Sequence, residues 1–105
     1  MSSSYSIVIT TYSRTDTGSR ITAALLAAKL AACIQVFPIR SSYAWKGKIV
    51  RDREFLMLIK ARSKRFGKVK DIILEHHDYE TPEIVSVRIE RAHAAYLRWM
   101  AKATR

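Results

Sequence analysis

One cysteine, two prolines, three glycines and no asparagine among 105 residues set the first bounds on this chain. A lone Cys33 excludes an internal disulfide and a cysteine-rich zinc module. So little proline and glycine leaves no linker or low-complexity tract, and no segment repeats. No apolar run approaches the roughly 18 residues of a membrane span. The opening Met1-Ser2-Ser3-Ser4-Tyr5 lacks the charged-then-apolar order of a secretory signal, so a cytoplasmic protein with no membrane association is expected. Enzyme motifs are missing too: no Ser/His/Asp order, glycine-rich phosphate loop or paired-carboxylate motif stands out, and no catalysis is expected.

Acidic residues are scarce. Nine Asp and Glu stand against nineteen Lys and Arg, a formal charge of +10. Much of the excess is local: eleven Lys and Arg lie between Arg40 and Lys70, opposed only by Asp52 and Glu54. Such a block fits a nucleic-acid, lipid or phosphate footprint, or a merely solvated surface. Without a groove motif, the solvated surface is preferred and nucleic acid is not expected as a partner.

What is present patterns clearly. Tyr5 to Tyr12 is β-rich, Thr15, Asp16 and Thr17 offer N-cap side chains, and Ile21, Ala24, Leu25, Ala28 and Ala31 recur at helical spacing. From about Cys33 to Lys60 two apolar runs flank a turn at Lys46-Gly47, a hairpin signature. Pro38 interrupts the first run, which suits an edge strand or a bulge. Ser63 can cap a second helix with Phe66, Val69, Ile72 and Ile73 inward, and Pro82 prevents its return. Val85, Val87 and Ile89 alternate in a fourth strand, and Tyr96, Trp99 and Met100 mark a closing helix.

The expected order is thus βαββαβ plus a C-terminal helix: an α+β, ferredoxin-like antiparallel sheet in a single domain over residues 1–105. Strands one and three run apolar without alternation, as in Phe55-Leu56-Met57-Leu58-Ile59. Two helices cover one sheet face, so the other face needs a cover, and self-association through it and the hairpin edge is expected.

Two blocks carry a family resemblance. LAACIQVFPIRSSYAWKGKI, followed by Glu54 and the close Leu58-Ile59-Lys60-Ala61-Arg62, resembles the CutA family of divalent-cation tolerance proteins. So does His77-Asp78-Tyr79-Glu80-Thr81-Pro82-Glu83-Ile84, similar to that family's H-P-Y-E-x-P-E-I, and Tyr96-Leu97-Arg98-Trp99 resembles its C-terminal Y-L-x-W. The resemblance implies a compact homotrimer related in architecture to PII signalling proteins, a link to copper and other divalent cations, and ligand clefts between subunits. The chain departs from the pattern at Gln35, Ala61 and Asp78, and Lys46, Arg51 and Arg53 stand at hairpin positions often acidic in relatives. Those three cations oppose a divalent metal and favour an anionic ligand.

Cys33 and His77 form the sharpest metal pair, because thiolate and imidazole suit copper or zinc, with Glu54, His76, Asp78 or residues of a neighbouring subunit to complete the set. Cys33 also reads as a small buried hydrophobe at a helix-to-strand junction. Lys60, Arg62, Tyr79, Glu83 and Trp45 are ligand-binding candidates. Glu54 and Lys60 share a strand face and read equally as a structural ion pair. Tyr43 and Trp45 share a face as well, where they stack a ligand or pack on a neighbouring subunit. An acylphosphatase would use this fold with an Arg and an Asn, which this chain lacks, and an RNA-recognition module needs more sheet-face aromatics than Phe55. The expected function is non-catalytic divalent-cation (copper or zinc) binding by a homotrimer. The alternative is a PII-like signalling or scaffold module that binds a small anion between subunits.

Overall fold

The hairpin dictates the architecture. Lys46 and Gly47 both take positive φ, 51° and 78°, the two-residue turn whose twist matches antiparallel strands. They join β2 (Cys33–Trp45) to β3 (Lys48–Arg62) in an unbroken register from Trp45↔Lys48 to Cys33↔Lys60. The computed structural model describes residues 4–105. Around the hairpin stand β1 (Tyr5–Tyr12), α1 (Thr15–Ala27), α2 (Phe66–His76, entered through a 3₁₀ turn), β4 (Ile84–Arg88) and α3 (Ala94–Ala103). The sheet order is β2-β3-β1-β4, all antiparallel, which is the ferredoxin-like plan. Pro38 lies on an edge strand, where its missing N–H costs no ladder bond to a further strand.

Strand alternation sorts the two faces. Val8, Met57, Ile59 and Ala61 point to the side of α1 and α2, where Ile21, Leu25, Val69 and Ile73 close the core. Each large apolar side chain buried there contributes about 1.5–3 kcal/mol. Tyr12 stacks on Phe55 with centroids 5.5 Å apart.

On the other face the expectation of a wholly uncovered sheet needs correcting. Helix α3 lies over one end of it. Met100 packs with Tyr5 and Ala32, the Arg62 guanidinium donates to the Ala101 carbonyl and Thr104 Oγ1, and Lys60 Nζ reaches Tyr96 Oη at 3.2 Å. The rest of that face stays open, with Phe37, Val85 and Val87 each about half exposed.

The helix starts also differ from expectation. Helix α1 has Arg14 at its N-cap, with no side-chain cap bond, and Asp16 instead receives Arg14 and Arg20. Ser63 opens the 3₁₀ turn and meets Ser6 Oγ at 2.6 Å rather than capping α2, whose N-cap is Arg65. Helix α1 ends at Ala27, so Ala28 and Ala31 fall beyond its stripe, after which Lys29 takes φ 55°. The chain leaves the helix in the left-handed conformation there, a usual way to end one.

Candidate functional site

Beyond the α2 C-terminus the chain crosses to the sheet face away from α1 and α2. His77 fixes that crossing. Its ring is fully buried, Nε2 lies 2.8 Å from the Thr11 carbonyl, and Nδ1 accepts the Tyr79 N–H at 3.1 Å. A nitrogen that accepts carries no proton, so Nε2–H is the donor to Thr11 and the imidazole is neutral. The β1–β4 ladder ends at Thr10↔Ile84, so His77 takes up the first β1 carbonyl past it.

The segment after His77 then forms one wall of a cleft, and the hairpin forms the other. Tyr79 Oη donates to Glu54 Oε2 at 2.6 Å, with Glu54 only 6% exposed. On the hairpin, Tyr43 Oη donates to Asp52 Oδ2, and Lys46 Nζ reaches Glu80 Oε2 at 3.8 Å across the gap. The open cleft has a volume of about 840 Å³ and is lined by Tyr43, Trp45, Asp52, Arg53, Glu54, Tyr79, Glu80, Pro82 and Glu83. Four carboxylates face one guanidinium and the Lys46 ammonium. On a chain of formal charge +10 this is an acidic, aromatic cleft, suited to a cation.

Burial, then the hydrogen bond to Glu54, pushes the Tyr79 phenol up to about 12 from an ordinary 10.0, against a smaller opposite effect of the Ser13 hydroxyl. The raised value has a sign. The folded state holds this proton more tightly than the unfolded chain, so the contribution is complete below pH 10 and is lost as pH rises through about 12. A tyrosinate difference titration of wild type against Tyr79→Phe is expected to show one phenol titrating near 12. A midpoint at 10 would contradict the buried bond to Glu54.

The candidates of the sequence therefore separate into groups. Glu54, Tyr79, Glu83 and Trp45 come together in the cleft, and His77 supports it from behind. Cys33 stands elsewhere. It pairs with Lys60, itself opposite Ile7, so it lies about 13 Å along the strand from Thr11 and two strands across. The set Cys33, His77 and Glu54 is thus not assembled within one chain. Among the described residues no three His, Cys, Asp or Glu side chains gather closely enough to hold a metal ion.

Lys60 and Arg62 are likewise taken out of the cleft by Tyr96 and the C-terminus of α3. Glu54 and Lys60 share a face, but six residues apart they form no ion pair. Sequence reasoning passed over Asp52 as a site residue. Its signal was there: Arg51-Asp52-Arg53-Glu54 on a strand puts Asp52 and Glu54 on one face.

Comparison with known proteins shows the family and the fold. The family model of the CutA1 divalent ion tolerance protein matches residues 6–103. The divalent-cation tolerance protein CutA of Archaeoglobus fulgidus is 42% identical over 85 residues, covering 81% of this chain and 83% of that one. Its Thermus thermophilus counterpart is 34% identical over 99 residues, covering 93% and 96%. The solved structure described as the periplasmic divalent cation tolerance protein CutA from Archaeoglobus fulgidus superposes with a TM-score of 0.92 at 37% identity, over 96% of this chain and 99% of that one. Sequence and fold agree over nearly the whole length, and the chain belongs to the CutA1 divalent ion tolerance protein family.

Proposed function

We propose that this protein is a non-catalytic homotrimer that collects divalent cations such as copper or zinc in the acidic cleft between the hairpin and the segment after His77. One observation carries the reading: Glu54, nearly buried and oriented by Tyr79, lies in a cleft with three further carboxylates. Carboxylate oxygens attract and ligate divalent ions, and the Tyr79 O–H steadies one oxygen of Glu54 while leaving the other for an ion. Among the described residues of one chain no three such groups come close enough together to hold an ion, so the proposal takes the remaining ligands from a neighbouring copy. His77 is left out as a ligand because both ring nitrogens are engaged, and Cys33 reaches an ion only with donors from another copy. The apolar residues still open on the sheet face support self-association.

Calorimetric titration of the reduced protein with zinc and copper tests this. Wild type is expected to bind at a fixed ratio per subunit. Glu54→Gln keeps an acceptor for Tyr79 but removes the charge, and should weaken binding about tenfold or more. Binding should fall as pH drops through the carboxylate range rather than through that of imidazole and thiol. No saturable heat in wild type, or equal affinity in the variant, would sink the proposal.

The anionic alternative loses Lys60 and Arg62 to the docking of α3. What remains of it lies on the other side of the hairpin.

A further inference from the structure

The alternation that puts Asp52 and Glu54 in the cleft puts Arg51 and Arg53 on the opposite face of β3. There the register sets Arg53 directly across from Arg40, while Arg51 sits on the diagonal to Arg40, opposite Ser42. Directly paired residues on one face have Cβ atoms about 5 Å apart, and like charges so placed oppose strand pairing. All three arginines are exposed, and none has a side-chain hydrogen bond or ion pair among the described residues. Beside them lies a hollow of about 600 Å³ lined by Arg40 and Arg53, where Pro38 and Phe55 supply apolar surface. Glu54 also borders this hollow, but its carboxylate is held by Tyr79 on the cleft side.

We infer that this arginine face is a binding site for a small phosphate-bearing polyanion, adjoining the cation cleft through Arg53 but centred on the other side of the same hairpin. Guanidinium forks match phosphate oxygens two at a time, which lysines do not. Three forks spread over about 7 Å suit a ligand with more than one phosphoryl group rather than a single small anion. The anion would also relieve the Arg40–Arg53 opposition, so binding and hairpin stability are coupled. Arg40 and Arg51 lie outside the cleft and Arg53 borders both hollows, so the inference does not depend on the metal reading.

The test uses tripolyphosphate as the probe, titrated into the full-length protein by calorimetry. Arg40→Gln and Arg53→Gln should each weaken binding about tenfold, since a charge-assisted bond contributes roughly that factor or more. Lys68→Gln, an exposed α2 position with the same change in net charge, should leave affinity unchanged. Without ligand, the two arginine variants should melt no lower than wild type, and tripolyphosphate should raise the melting temperature of wild type and of Lys68→Gln only. Binding should also weaken as salt is added. An equal loss in Lys68→Gln would show that affinity follows net charge alone, and no binding by wild type would equally overturn the site. Arginine variants that change oligomer mass while keeping full tripolyphosphate affinity would assign the face to a second copy of the chain instead. In each of these outcomes the zinc titration of wild type and Glu54→Gln stands as before, so the two proposals fail separately.

Discussion

Val87→Asp is expected to release monomers from the proposed homotrimer. In wild type, light scattering at micromolar concentration should report about three times the 12.0 kDa of one chain, and in the variant about that mass once. Val87 is 54% exposed in the single chain and shares its sheet face with Val85 and, across the pair with β1, Ile7. Phe37, 45% exposed, lies on the same face. An antiparallel sheet tolerates water on one face only when that face is polar, and around Phe37, Val85 and Val87 it is not. A carboxylate placed there costs almost nothing in a free chain, where surface substitutions usually change stability by less than about 0.5 kcal/mol. Inside an assembled interface the same group is buried without a partner, at a cost of several kcal/mol in each subunit. The asymmetry makes the effect large and confines it to assembly.

Ser86→Asp is the control. It adds the same charge one residue away, on the face of α1 and α2. Trimer mass should survive in Ser86→Asp and vanish in Val87→Asp, with far-ultraviolet circular dichroism unchanged in both. A trimeric Val87→Asp would place the interface elsewhere, and a monomeric wild type would remove it altogether. If the metal site draws ligands from a neighbouring copy, zinc affinity should fall with the trimer.

Much of the fold was legible because local chemistry and tertiary demand agree. Lys46-Gly47 is a turn because both residues take positive φ, Pro38 fits only an edge, and Val85 and Val87 alternate as a half-covered strand requires. The site was legible in part. Glu54, Tyr79, Glu83 and Trp45 were marked, but their meeting depends on a segment that crosses the sheet edge, and nothing local encodes that. The Cys33–His77 pairing failed within one chain for a related reason. Residue chemistry suggested it, whereas register separates the two by strands as well as by length.

The basic block shows the opposite error. Eleven cations between Arg40 and Lys70 read as one patch, yet the strand pleat divides the hairpin into an acidic face and an arginine face, and α3 engages Lys60 and Arg62. Counting charge along the sequence averages over the very alternation that separates them. Helix caps misled as well: α1 has Arg14 at its N-cap with no side-chain cap bond, and Asp16 is engaged by Arg14 and Arg20 instead.

His77→Ala should be the most destabilising change near the site, by about 2–4 kcal/mol at matched protein concentration, measured by urea unfolding. The estimate has two sources. The ring is fully buried, so its removal leaves a cavity, and truncation of a large buried side chain costs on that scale even with partial collapse. It also strips the Thr11 carbonyl and the Tyr79 N–H of their partner, at about 1 kcal/mol or more for each group left unpaired in the interior. Water entry would recover some of this, which keeps the total below a plain sum. His77→Gln can still donate to Thr11 and should lose less than His77→Ala. A change below about 0.5 kcal/mol in His77→Ala would show that the crossing segment holds without its bridge. The consequence reaches the metal question. Tyr79 is positioned by His77, and Glu54 by Tyr79, so His77→Ala can abolish zinc binding with no bond from imidazole to metal. Comparison of His77→Gln with Glu54→Gln separates the two roles. A positioning histidine leaves zinc affinity largely intact when the replacement still donates to Thr11 and accepts the Tyr79 N–H, as a glutamine amide can, whereas a ligating one does not.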